Sequence, residues 1–246
     1  MKTIAVIVGI LLGGQMFAQT KIIAHRGYWK TNPVTSQNSI QALKNAQKLE
    51  VYGSEFDVQM TKDGVLVVNH DNDINKIVIA DTNFKELKTI KLSNGELLPT
   101  LKQYLKAGKK NSNVKLILEI KSAKTKELEN DIVSKTIKMV RRLNLENQVD
   151  YISFSLNVCK ELKRVDVNTR VQYLTGDLSP LEVKNLGIDG IDYHYSVFLE
   201  KHPTWIKEAK DLGLITNSWT VNSLENYKKL VDAGIDWVTT DIPADY

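Results

Sequence analysis

The sequence predicts an α/β fold: a closed barrel of eight parallel strands with helices between them. Three observations carry the prediction. Short apolar runs alternate along the chain with stretches of helical period, and eight of those runs qualify as barrel strands. The chemically distinctive residues gather where such runs end, as they do at the C-terminal mouth of a barrel. A length of 246 residues with 42% apolar content supports one substantial core without demanding a second domain. An open, doubly wound sheet is the alternative, because a reading of one sequence can miscount by a strand.

Taken in order, residues 22–24 read as the first strand, and residues 38–49 as a helix with apolar positions at Ile40, Leu43, Ala46 and Leu49. Residues 51–60 form the second strand. Residues 65–69 return beside it after the Lys62-Asp63-Gly64 turn. Residues 71–98 are the least regular part and read as loops with short helical pieces, an insertion over one barrel end. The lysines of 102–115 read as the solvated face of a helical stretch. The remaining strands are 116–120, 151–154, 171–174, 190–193, 214–219 and 237–240, with helices at 127–143, 157–165, 180–186, 203–211 and 224–233 between them.

The N-terminus carries a different signal. Lys2 precedes an apolar run over 4–12, and a short segment follows that ends at Phe17-Ala18-Gln19. This is the layout of a secretory signal peptide over residues 1–18, with cleavage after Ala18 even though Met16 occupies a position that favours a small residue. The run falls short of the ~20 apolar residues that span a bilayer. No cysteine follows it to take a lipid. The expectation is therefore a secreted or periplasmic mature chain, one domain over 19–246, without stable membrane insertion. Cys159, the only cysteine, has no intramolecular partner and reads as a small buried hydrophobe. Lys plus Arg exceeds Asp plus Glu by 33 to 29, a net +4 that reflects ordinary solubility. Aromatics do not alternate with the lysines as in a base-stacking platform, so nothing points to nucleic acid.

The polar residues at strand ends suggest chemistry. His25-Arg26-Gly27 closes the first strand. Glu55 and Asp57 are two apart on the second, so both carboxylates share one face and can share one cation. His70-Asp71 ends the hairpin strand, and Glu119 and Lys121 close the third barrel strand. Each has an ordinary explanation: a hydrogen-bonded structural histidine, or carboxylates paired with Arg26 and Lys121. Glu119, however, follows Leu116-Ile117-Leu118, and a carboxylate in so apolar a strand needs a paired charge or a metal. Three carboxylates without cysteine suit one hard divalent cation, Ca2+ or Mg2+. Both histidines then stay free for proton transfer near neutral pH, and Arg26 and Lys121 can hold phosphate oxygens.

The same residues lie in a recurring series: Ala24-His25-Arg26-Gly27, Gln37-Asn38-Ser39, Glu55-Phe56-Asp57-Val58, Thr61-Lys62-Asp63-Gly64, Asn69-His70-Asp71, Leu98-Pro99-Thr100-Leu101, Leu118-Glu119-Ile120-Lys121, Trp219-Thr220-Val221-Asn222, Gly234-Ile235-Asp236 and Thr240-Asp241-Ile242-Pro243. In this order and over nearly the whole mature length, the chain resembles the glycerophosphodiester phosphodiesterase family. The resemblance implies a TIM barrel with a small insertion after the second strand, here residues 71–98 in reduced form. It implies hydrolysis of small glycerophosphodiesters to sn-glycerol 3-phosphate and an alcohol, by attack of the glycerol 2-hydroxyl on phosphorus and opening of the cyclic phosphate by water. By position, Glu55, Asp57 and Glu119 become metal ligands and His25 and His70 the acid–base pair. Arg26 becomes a phosphate contact, with Lys121 close to the same site.

One departure stands out. Gln37 occupies a position where the family commonly has glutamate, which keeps an acceptor oxygen but removes a charge. Asn38 reads either as a site residue or as a helix N-cap. Trp219 reads as an apolar wall of the substrate pocket or as core, and Tyr28, Trp29, Tyr193 and His194 are candidates for its rim. Two other functions remain compatible with the residues: an enzyme of this fold acting on a different phosphodiester, or a barrel that binds phosphodiesters without turnover.

Overall fold

The computed structural model describes residues 19–246. The signal-peptide reading of 1–18 lies outside the described residues. None of the described helices is long and apolar enough to cross a membrane.

Eleven strands are present among the described residues: β1 (Lys21–Ala24), β2 (Gly53–Met60), β3 (Leu66–Val68), β4 (Asp73–Ile74), β5 (Ile77–Val78), β6 (Lys115–Ile120), β7 (Val149–Ser153), β8 (Val171–Tyr173), β9 (Gly190–His194), β10 (Ile215–Trp219) and β11 (Trp237–Thr240). β1 pairs in parallel with both β2 and β11, so the run β1-β2-β6-β7-β8-β9-β10-β11 closes on itself as an eight-stranded parallel ring. That closure removes the open-sheet alternative. β2 continues past the ring, and β3 returns antiparallel against Val58–Met60.

Side-chain alternation sorts the strands into two faces. Leu116, Leu118 and Ile120 of β6 join the buried layer under the helices. Ile117, with Ile23, Ile152, Leu174 and Trp237, fills the barrel interior. Glu119 has the parity of Ile117 and so points inward above this apolar plug.

The helices are α1 (Ile40–Leu49), α2 (Phe84–Leu87), α3 (Leu101–Gly108), α4 (Lys126–Arg142), α5 (Leu156–Val165), α6 (Pro180–Asn185), α7 (Trp205–Asp211) and α8 (Leu224–Asp232). Their starts follow cap chemistry. Ser39 accepts from the Ala42 N–H at 3.0 Å, so α1 begins at Ile40, its first apolar position and two residues later than the expected range. Thr100 and Gln103 form a capping box on α3, and Ser179, Glu182 and Pro180 set the start of α6. The lysine-rich stretch 102–115 is not one helix. α3 stops at Gly108, where a Cβ would come within 2.7 Å of Leu116 Cδ1, and Lys115 opens β6 with its ammonium 3.8 Å from Asp150.

Residues 71–98 form the expected insertion. The β4–β5 hairpin, a 3-10 turn and α2 enclose a small core of Val67, Ile74, Ile79, Leu87 and Leu98. The insertion is tied to the barrel mouth. Glu96 accepts from the N–H groups of Ile40 and Gln41 at 3.1 Å each, an acidic cap on the first turn of α1. Ser93 and Ser36 share a hydrogen bond of 2.6 Å.

Candidate active site

The loop after β1 is shaped by its backbone. Arg26, Gly27 and Asn38 all have positive φ, at 55°, 78° and 59°. At Gly27 a Cβ would lie 2.7 Å from Ala42 Cβ, so only glycine lets the loop rest on α1. The turn aims the Arg26 N–H at Glu55 Oε2, 2.7 Å away, and the Gly27 N–H at the Glu55 carbonyl, 3.0 Å away. The Arg26 guanidinium donates to Gln37 Oε1 at 2.7 Å and lies 3.9 Å from Asp57 Oδ2. Gln37 therefore orients Arg26 without neutralising it.

Glu55 and Asp57 share the inner face of β2, and strand register sets Asp57 beside Glu119 of β6. One carboxylate oxygen from each of the three lies within 4.8 Å of the others, and all three side chains are buried. Their partners differ. Asp57 is fully served: Lys121 Nζ is 3.0 Å from Oδ1, and Asn38 donates to Oδ2 at 2.8 Å while its own Oδ1 accepts from the Asp57 N–H. Lys121 also reaches Glu119 Oε1 at 2.8 Å. Glu55 Oε1 is buried with no hydrogen-bond partner among the described residues.

The electrostatics follow from this unequal sharing. Burial, with the charges of Asp57 and Glu119, pushes the Glu55 carboxyl well above its ordinary value. Burial and the Asp57 charge raise Glu119 to about 7, although Lys121 opposes them. Asp57 is buried too, yet Lys121, His70 and Asn38 together hold it below its ordinary value. Three carboxylates faced by two cationic side chains leave negative charge uncompensated whenever all three are ionised. An all-oxygen donor set and an orphaned buried oxygen are what a hard divalent cation fits. Asn38 is thus a partner of Asp57, while the N-cap of α1 is Ser39.

His25 and His70 are each backed by an aspartate. His25 Nδ1 is 2.7 Å from Asp241 Oδ1, and its Nε2 lies 4.0 Å from Glu55 Oε2. Burial disfavours the Asp241 anion, but His25, Asn222 and Lys30 outweigh it and hold this carboxyl far below its ordinary range. Asn222 donates to Asp241 Oδ2 at 2.8 Å and accepts from its N–H at 2.9 Å. His70 Nδ1 is 2.7 Å from Asp71 Oδ1. Burial lowers the His70 pKa, and the Asp57 charge works against that. The turn carrying His70 is held by Gln59, whose amide nitrogen lies 2.5–3.1 Å from the carbonyl oxygens of Asn69, His70 and Asp71. Neither Asp241 nor Gln59 stood out as a site residue in the sequence. The signal for Asp241 was its place just after the last barrel strand, inside a matching motif.

These groups border a cavity of about 220 Å³ at the mouth. His25, Arg26, Glu55, His70, Glu119 and Trp219 line it, while Asp57, Lys121 and Asn38 act through their bonds to the cluster. Trp219 stands as a wall, edge-on to Phe154 with ring centroids 5.4 Å apart, and its indole N–H donates to the Asp192 carbonyl at 3.0 Å. The other rim candidates are not cavity residues. Tyr193 has the outward parity of β9 and is fully buried against Phe198, its hydroxyl donating to the Leu178 carbonyl. His194 packs beside Trp219, and Tyr28 and Trp29 line separate grooves.

Known proteins match this arrangement along its length. The model of the glycerophosphoryl diester phosphodiesterase family matches residues 25–245. A glycerophosphodiester phosphodiesterase of Caldanaerobacter subterraneus subsp. tengcongensis is 31% identical over 92% of this chain and 95% of its own. The crystal structure of a glycerophosphodiester phosphodiesterase from Parabacteroides distasonis is 49% identical, with a TM-score of 0.90 over 92% of this chain and 94% of that one. An Oleispira antarctica phosphodiesterase, solved in complex with the product sn-glycerol-3-phosphate, shares the fold at 21% identity, with a TM-score of 0.78 over 92% of this chain and 94% of that one. The chain belongs to the glycerophosphoryl diester phosphodiesterase family.

Proposed function

We propose that this enzyme hydrolyses glycerophosphodiesters to sn-glycerol 3-phosphate and an alcohol, using one Ca2+ or Mg2+ at Glu55, Asp57 and Glu119 and a proton-transfer pair, His25 and His70. The observation that carries the reading is the buried three-carboxylate cluster flanked by two aspartate-backed histidines on one small cavity. Its family and its relatives' names support the same reading.

When bound, the cation supplies positive charge that favours the anionic transition state and makes a nearby hydroxyl more acidic. The Arg26 guanidinium holds a phosphate oxygen. Gln37 fixes its direction, and Lys121 keeps Asp57 and Glu119 together. In each histidine the aspartate engages Nδ1, which leaves Nε2 to exchange protons with substrate. One histidine takes the proton of the attacking glycerol 2-hydroxyl while the other gives a proton to the departing alkoxide, and water, giving up its proton to a histidine in turn, then opens the cyclic phosphate to sn-glycerol 3-phosphate. Trp219 and Phe154 form the aromatic side of the cavity in which that exchange takes place. The mature enzyme is one barrel over 19–246, exported after cleavage behind Ala18.

The test is incubation with glycerophosphocholine and glycerophosphoethanolamine under Ca2+, Mg2+ or EDTA, coupled to a glycerol 3-phosphate readout. Turnover should vanish in EDTA and fall by about 10²–10⁴ in His25→Ala and His70→Ala. Turnover of other diesters alone would reassign the substrate, and binding without any turnover would make the barrel a receptor. N-terminal sequencing of protein recovered outside the cytoplasm should begin at Gln19, whereas an intact Met1 there would contradict export by cleavage.

A further inference from the structure

Among the residues lining the cavity, Asp192 is an ionisable group that the reaction above does not use. In β9, Ile191 and Tyr193 join the layer under the helices, so Asp192 between them points into the barrel. It lines the same cavity as His25, Arg26 and Trp219, beside the apolar Ile152 and Leu174. Asp192 is 1% exposed, and its Oδ1 has no hydrogen-bond partner among the described residues.

The surroundings offer Asp192 little. Asn217, its partner in strand register, donates to Thr239 Oγ1 at 3.0 Å and accepts from the Ser218 N–H at 2.8 Å. The cations of the site, Arg26 and Lys121, are held at Gln37, Asp57 and Glu119. No lysine or arginine pairs with Asp192 among the described residues. Burial drives its carboxyl well above the ordinary range, Asn217 opposing and the Glu119 charge adding. A buried carboxyl with a free oxygen is costly unless something completes its hydrogen bonding. An alcohol hydroxyl does so in either protonation form, because it donates to a carboxylate and accepts from a carboxylic acid.

We propose that Asp192 is a specificity-determining residue that binds the terminal hydroxyl of the glycerol half of the substrate. The inference rests on the proposed function. With phosphate at Arg26 and one hydroxyl used as nucleophile, the glycerol half has a single hydroxyl left. The indole N–H of Trp219 donates to the Asp192 carbonyl, which couples this residue to the wall of the pocket.

The experiment compares glycerophosphocholine with 2-hydroxypropyl phosphocholine, which has a methyl group where the terminal hydroxymethyl stands. The wild-type enzyme should favour the glycerol diester by at least about tenfold in kcat/KM, since a site built around a hydroxyl discriminates strongly against its absence. In Asp192→Ala the two substrates should converge, and Asp192→Asn should restore part of the preference. Equal loss for both substrates in Asp192→Ala, with the wild-type ratio intact, would overturn the proposal and make Asp192 structural. A wild-type enzyme indifferent to the hydroxyl would overturn it while leaving the hydrolytic reading standing. If neither diester is turned over, the proposed function fails. Calorimetric binding of sn-glycerol 3-phosphate against 2-hydroxypropyl phosphate to the unsubstituted chain then decides the hydroxyl contact, with equal affinities overturning it.

Discussion

His25 and Arg26 are neighbours in sequence, yet each is fixed by a different distant group. Asp241 engages His25 Nδ1 across 216 positions, and an ionised aspartate there holds one tautomer and one ring orientation. Asp241→Asn keeps the shape and removes the charge, so the ring is no longer held with Nε2 presented to substrate. We expect kcat/KM to fall by about 10–10³-fold, less than the ~10²–10⁴ expected for removing His25 if it has the proposed acid–base role. The melting temperature should stay close to wild type. A variant with full activity would release Asp241 from any role at His25. Gln37 acts on Arg26 in another way. Its carbonyl oxygen accepts from the guanidinium at 2.7 Å and brings no charge. Gln37→Glu would turn that contact into an ion pair and draw positive potential away from the phosphate. The expected result is a KM raised by about five- to tenfold, roughly 1 kcal/mol, with kcat changed far less. An unchanged or lowered KM would show that the field of Arg26 is not what this residue tunes.

The element that organises the site is β2. Glu55, Asp57 and Gln59 follow one another at every second position, so one face of one strand carries two carboxylates of the cluster and then the clamp on the His70 turn. The overhang of β2 beyond the ring makes this possible, because β3 stabilises it by antiparallel pairing. Gln59→Leu would leave the carbonyls of Asn69 and His70 without this donor, Asp71 keeping only the Asn69 amide at 2.7 Å, and let the turn drift. With His70 in its proposed role, we expect a kcat reduced about tenfold, since a proton carrier displaced by an ångström is a poor one. Stability should fall by about 1 kcal/mol, the low end of the cost of an unmet acceptor, because these carbonyls are only partly buried. Intact kcat with lowered stability would make the clamp purely structural. Much of this element was readable beforehand. The alternation that pairs Glu55 with Asp57 and the apolar run around Glu119 are local patterns, and they are enough to give the strands, their faces and the three carboxylates that come together. Contacts across the ring were not readable. Asp241 at His25 and Gln59 at three carbonyls depend on closure and on loop path, which no window of sequence contains. Tyr193 failed as a rim residue because its parity on β9 sends it outward. Lys115 failed as a helix residue because Gly108 ends α3 early to make room for Leu116.

On the scale of the whole molecule, the barrel gathers ionisable groups in a place where their charges oppose its stability. The ordinary Glu pKa is 4.5, and burial together with the Asp57 charge raises Glu119 to about 7, with Glu55 shifted in the same direction. A carboxyl whose folded value lies above its unfolded one favours folding below the unfolded value, and that contribution is lost as pH rises through the folded one. The ion-free protein should therefore lose stability between about pH 4.5 and 7, by a few kcal/mol if the raised carboxyls ionise unpaired. Asp57 has the opposite sign, being held below its ordinary value, so its contribution is lost only under acid conditions outside this window. A divalent cation bound by the cluster compensates the ionised carboxylates, and its binding must release the protons they carry. Melting curves with saturating Ca2+ or Mg2+ and with EDTA should then diverge with pH: a small gap near pH 5, widening through pH 6–7 and largest near pH 8. Glu119→Gln removes the charge and the ligand together, so it should raise the melting temperature of the EDTA-treated protein at pH 8 and shrink the cation-dependent gain. A gap that is constant with pH, or greatest in acid, would mean that the cation binds somewhere other than these three carboxylates.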